Sequence, residues 1–188
     1  MPKTFIYIHG FNSDGDGWKA KALKRHFPED KVIAPDFDAD PMKVMAKLDG
    51  IIRDLQPKNT HILGTSLGGF YAYICCAKYG IKASLFNPSL APFYTLDDRG
   101  IGQFYTWTKK RSYLFKETYL PMLAKLKKDA DKQVNPLKCH FYLATDDAIL
   151  DHSQMSQLYP DIAIDWFDHA GHSFSKFEKV LVQLKKKR

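Results

Sequence analysis

Residues 61–70 read "HILGTSLGGF": a serine flanked by glycines two positions before and two after, between a β-rich run and a helical pattern. A bare G-x-S-x-G is a weak signal, and its context is what sharpens it. A strand, a tight turn and a helix around the serine form a nucleophile elbow, where small residues let the backbone crowd past itself and the hydroxyl points outward. The following helix aims its N-terminus at Ser66, where its dipole favours developing negative charge. A glycine-rich strand-to-helix turn with an incidental serine is the competing reading. Serine is a poor nucleophile until a base takes its proton, so Ser66 needs partners.

In an elbow of this kind the acid and then the histidine come later in the chain. "HFYLATDDAILDH" (140–152) is a strand running into acidic residues, and "IDWFDHAGHSF" (164–174) is a second strand running into a loop with two histidines. Asp146 and Asp147 both lie just past their strand, and the pattern does not separate them. Asp151, with Gln154 three residues on, reads as the N-cap of a capping box. His169 and His172 compete for the base; His172 follows Gly171 and precedes the last helix. The early segment "IYIHGFNS" (6–13) ends a strand on His9-Gly10. Gly10 permits a sharp departure that aims the Phe11 N–H, beside that of Leu67, at an oxyanion. His9 reads as the residue that fixes this loop.

The elements needed to hold these groups alternate along the chain. Expected strands are 4–8, 31–34, 60–63, 83–86, 140–144 and 163–167. Expected helices are 19–26, 41–55, 69–78, a stretch within 113–128, 153–158 and 174–186. Apolar strands alternating with helices indicate an α/β fold with a mostly parallel sheet covered on both faces. At 188 residues the chain suits one domain. From about Leu90 to Val134 the connection is longer than a crossover needs and rich in aromatics. It reads as a packed helix pair or a cap over a site, with Phe93, Tyr94 and Trp107 as candidate substrate-binding residues.

Composition narrows the partners. Hydrophobic content of 45% is ordinary for a globular protein, and no apolar run is long enough to span a membrane. Three cysteines, two of them adjacent, give neither a disulfide framework nor a metal-ligand spacing. With no apolar leader, a cytoplasmic location is expected. The net charge of +7 is bunched at 109–111, 125–128 and 185–188, outside any nucleic-acid motif. Solvated faces are the plain reading, and an anionic substrate such as a coenzyme A thioester is the sharper one.

"IYIHGFNS", "GTSLGGFYA" (64–72), "FNPSLAPF" (86–93), "ATDDAILDH" (144–152) and "AGHSF" (170–174) together resemble the small YqiA-like esterase family of bacteria, within the α/β-hydrolases. The motifs occur in the family's order over nearly the whole chain. The resemblance implies an α/β-hydrolase fold with Ser66 as nucleophile. It places the acid on Asp147, with Asp146 where the family carries glycine, and the base on His172. It also implies a serine esterase acting on carboxylic esters, with acyl-CoA thioesters as a second substrate class. Neither a metal nor an organic cofactor is implied. The alternative is a non-catalytic hydrolase-fold binding protein that keeps the elbow as architecture.

Overall fold

The computed structural model describes residues 3–96, 101–108 and 110–186. Six strands form the central sheet: β1 (Thr4–Ile8), β2 (Lys31–Ile33), β3 (Thr60–Thr65), β4 (Lys82–Phe86), β7 (Cys139–Ala144) and β8 (Ala163–Phe167). Their order across the sheet is β2-β1-β3-β4-β7-β8, and every pairing is parallel. All six expected strands are present, each within two residues of its expected ends.

The strands carry apolar side chains at successive positions because both faces are covered. Ile6, Ile8, Ile62, Leu85, Phe141 and Leu143 face one core, against helices α2 (Pro41–Ile52), α3 (Leu67–Tyr79) and α5 (Tyr119–Asp131). Phe5, Tyr7, Leu63, Phe86, Tyr142 and Phe167 face the other, under α1 (Trp18–His26) and α7 (Phe177–Lys186). Helix α3 is buried on nearly every side from Gly68 to Cys76, as its all-round apolar sequence requires. It stops at Gly80, which takes a left-handed conformation with φ of 61°. Helix α2 starts at Asp40, whose carboxylate accepts from the Met42 N–H at 2.9 Å, with Pro41 in the first turn. It ends at Ile52, short of the expected residue 55.

The segment between β4 and β7 holds a short helix α4 (Pro92–Thr95), an antiparallel hairpin of β5 (Gly102–Tyr105) and β6 (Ser112–Phe115), and then α5. The hairpin was not foreseen. Its period-2 signal is short: Phe104, Tyr113 and Phe115 point inward, while Gln103, Tyr105, Ser112 and Leu114 alternate outward. Among the described residues no helix is long and apolar enough to cross a membrane.

Candidate active site

Strands β1, β3, β7 and β8 all point their carboxyl ends at one edge of the sheet, where open α/β sheets place their ligand sites. At the end of β3 the chain turns into α3 through Ser66, which sits at φ 54° and ψ −122°. The flanking glycines make this possible. A Cβ at Gly64 would lie 2.2 Å from the Gly68 carbonyl oxygen, and one at Gly68 would lie 2.1 Å from that of Ile8. The Ser66 N–H donates to the Phe86 carbonyl at 3.0 Å, which ties the elbow to β4.

The three expected residues come together from three elements. Ser66 Oγ is 3.2 Å from His172 Nε2, and His172 Nδ1 is 2.9 Å from Asp147 Oδ2. Asp147, with a side chain only 1% exposed, also accepts the N–H groups of Ile149 and Leu150 at 2.9 and 3.0 Å. A second imidazole, His152, brings its Nε2 to 3.2 Å from the same Oδ2. Burial by itself would raise the Asp147 pKa. The hydrogen bonds from His152, His172, Leu150 and Ile149 outweigh it and hold the carboxyl well below the usual range. His152 was missed in the sequence, since nothing in its spacing marks it as the acid's partner.

Asp146, the competing acid, does something else. Its Oδ1 accepts from Ala170 N and Gly171 N, each at 3.0 Å, so it holds the histidine loop rather than the histidine. Asn87, fully buried at φ 43°, reaches the same loop: its Nδ2 donates to the carbonyls of Gly171 and His172, while its Oδ1 accepts from Ala144 N. Phe174, buried against Phe86 and Phe167, anchors the far side. His169 stands in the loop at φ 54° with its carbonyl accepting from Ser175. Asp151 does not cap as expected. Helix α6 (Met155–Leu158) begins after Gln154, which makes no side-chain cap, and the Asp151 carboxylate instead accepts from Ser153 N. A turn at Ser153 and Gln154 stands between Asp151 and the helix.

Phe11 follows Gly10 on the β1 loop, where a Cβ on that glycine would lie 3.3 Å from Ser66 Cβ, and Leu67 is the first residue of α3. The β5–β6 hairpin secures the first loop. The Phe11 ring meets Phe104, Tyr113 and Phe115 edge-on, with centroids 5.1 to 5.9 Å apart. Asn12, at φ 60°, donates its N–H to the Tyr113 hydroxyl, which donates in turn to Asn12 Oδ1, and the Asn12 carbonyl accepts from Trp107 N at 2.8 Å. Arg111 bonds the buried Asp14 carboxylate at 2.9 Å, lies 3.2 Å from Asp36, and donates to the carbonyls of Ser13 and Phe37. His9 Nδ1 is 2.8 Å from its neighbour's carbonyl, that of Gly10.

The candidate substrate residues separate. Phe93 and Tyr94 line an open groove of about 660 Å³ that runs past Leu150 and His152. Trp107 is 81% exposed and is absent from the walls of that groove, although its backbone holds the loop of Asn12. The basic clusters are engaged in part: Arg111 as above, Lys110 with Asp16, and Lys127 with Asp131 beneath the rings of Tyr73 and Tyr159, while Lys128 lines the groove without an ion pair among the described residues. Lys109, Lys187 and Arg188 lie outside the described residues. Among the described residues, no group of three or more His, Cys, Asp or Glu side chains could hold a metal ion.

The fold matches solved α/β-hydrolases along its whole length. Monoacylglycerol lipase of Paleococcus ferrophilus superposes with a TM-score of 0.72 at 15% identity, covering 100% of this chain and 95% of that one. Est1E from Butyrivibrio proteoclasticus gives 0.65 at 17% identity, over 99% of this chain and 86% of that one. The esterase domain of a Rhodothermus marinus protein gives 0.66 at 15% identity, over 99% and 88%. In sequence, UPF0227 proteins of Vibrio parahaemolyticus and Pasteurella multocida are 27% and 24% identical over 186 residues, 96% of each chain. The family model described as "Uncharacterised protein family (UPF0227)" matches residues 4–187, and the chain belongs to that family, on an α/β-hydrolase fold.

Proposed function

We propose that the protein is a serine esterase that cleaves carboxylic esters of short acyl groups through an acyl-serine intermediate. One observation carries the reading: the unbroken line from Ser66 Oγ through both nitrogens of His172 to a buried Asp147. In the mechanism this supports, His172 Nε2 takes the Ser66 proton as Oγ attacks the acyl carbonyl carbon. Asp147 accepts from Nδ1–H, fixes the tautomer and stabilises the imidazolium. The Phe11 and Leu67 N–H groups receive the oxyanion. Collapse of the tetrahedral species breaks the bond to the alcohol oxygen, which leaves with the proton held on Nε2. Water then attacks the acyl-serine, with His172 again accepting and returning a proton, and the acid is released. Segment 90–134 acts as the cap of a single domain and secures the oxyanion loop. Three free, buried cysteines fit a reducing, cytoplasmic setting.

Esters are favoured over acyl-CoA thioesters, because Lys127 of the groove is paired with Asp131, which leaves Lys128 alone there to meet the coenzyme's phosphates. A fluorophosphonate probe tests the reading: it should label Ser66 in the native protein and fail to label Ser66→Ala. An unlabelled Ser66 would return the chain to the role of a binding scaffold.

A further inference from the structure

A narrow cavity opens beside the oxyanion residues, and two of its polar groups have nothing to bond. Phe11 and Leu67 form part of its wall, so it adjoins the place where the acyl carbonyl would sit, and most of the remaining lining is apolar. His9 lines it too. The residue is 8% exposed, its Nδ1 is engaged with the Gly10 carbonyl, and its Nε2 is buried without a hydrogen-bond partner. Tyr71, on the second turn of α3, is 4% exposed, and its hydroxyl makes no hydrogen bond among the described residues. Buried polar side chains in folded proteins are nearly always hydrogen-bonded, and each exception calls for a reason. His9 Nε2 is such an exception, the unbonded Tyr71 hydroxyl lies in the wall of the same cavity, and a ligand entering there would supply a partner to both.

We infer that this cavity receives the tail of the acyl group, and that the tail carries a hydroxyl. The inference rests on the esterase reading and names its substrate class. The two orphan groups are complementary. Burial keeps the His9 imidazole neutral, so with its proton on Nδ1 toward Gly10, Nε2 can only accept. The Tyr71 phenol, whose pKa burial drives far up, stays protonated and can donate. A hydroxyl satisfies both at once, accepting from Tyr71 and donating to His9, whereas a methyl leaves both unpaired. Size sets the length. The space available is about 30 Å³, and a water needs about 10–15 Å³ measured this way, so two or three non-hydrogen atoms fit beyond the carbonyl carbon. A 3-hydroxypropionyl group, with two carbons and one oxygen beyond the carbonyl carbon, meets both conditions.

The test compares ethyl 3-hydroxypropionate with ethyl propionate by pH-stat titration, in the native protein and in Tyr71→Phe. The native enzyme should favour the hydroxy ester in kcat/KM by about five- to tenfold, the worth of one or two net hydrogen bonds. Tyr71→Phe, which leaves only the bond to His9, should cut that ratio to about two- to threefold. Equal rates on the two esters in the native enzyme would mean that the orphan groups hold only water, and would overturn the inference. So would a preference that is undiminished in Tyr71→Phe. Fluorophosphonate labelling separates this failure from that of the esterase reading: a labelled Ser66 with no preference rejects only the hydroxyacyl class, and an unlabelled Ser66 rejects both.

Discussion

His152 and His172 share one carboxylate oxygen: both imidazoles approach Asp147 Oδ2, at 3.2 and 2.9 Å. Only His172 also faces Ser66, so His152 is a positioning residue for the acid. Replacing it with Phe removes one hydrogen bond from the Asp147 carboxylate and leaves its charge more available to His172. We expect kcat to fall about tenfold with little change in KM, since a bond to a charged group contributes about 1.5–3 kcal/mol and only part of it acts on the transition state. The acid limb of the kcat/KM profile should move to higher pH. His152→Gln, which keeps a donor, should recover most of the loss. An unmoved acid limb in His152→Phe would leave His152 a packing residue.

The two neighbouring carboxylates should part widely. Asp147→Asn is expected to reduce kcat by about ten-thousandfold, because the amide cannot hold the productive tautomer. Asp146→Asn keeps an oxygen that can accept from Ala170 and Gly171, so its loss should stay within about tenfold. Steady-state kinetics on one ester decides between them.

Asp147 also sets an acid sensitivity. Its folded pKa lies below the 3.8 of the free side chain, so its stabilising contribution is complete above that value and fades as pH falls through the depressed one. Urea midpoints taken from pH 5 down to pH 2 should drop more steeply in the native protein than in Asp147→Asn. Parallel curves would show that another group governs the acid limit.

The loop of Phe11 and Asn12 is tied to the hairpin, and Tyr113→Phe probes that link. The variant removes the hydroxyl that bonds Asn12 twice while keeping the ring against Phe11. We expect a several-fold loss in kcat at nearly constant KM and a small change in melting temperature. Arg111→Ala should act on stability instead, costing about 1–3 kcal/mol, because it strips its strongest partner from the buried Asp14. Urea denaturation measures that difference.

Glycines supply a control pair. Gly64→Ala should abolish folding or activity, since its Cβ would collide with the Gly68 backbone. Gly50→Ala, within α2 and with open space around the new Cβ, should stabilise the protein by about 0.5–1 kcal/mol.

The sheet was legible because its strands are apolar runs broken by turn residues, and the elbow was legible because Gly64 and Gly68 sit where backbone contacts forbid a side chain. The hairpin was not, because four-residue strands give too few alternations to stand apart from a helix with aromatic residues. His152 and Asn87 escaped for another reason. Asn87 acts through contacts with residues distant in sequence and His152 through a local turn, and a lone His or Asn carries no periodic signal. Asp146 could not be told from Asp147 by position, since adjacent residues leave a strand in opposite directions and only the loop beyond decides which meets the imidazole.

The bonds from the hairpin to Asn12 and Asp14 also bear on modularity. In a fold whose variety comes from insertions on a constant sheet, an insertion that merely roofs the site could be shortened or exchanged with a change of substrate range alone. Here the inserted strands hold the backbone of the loop before α1, a hundred residues earlier in the chain. The first loop and the insertion are therefore a single inherited unit, and a chimera should exchange 9–14 together with 101–116 or lose turnover on every substrate.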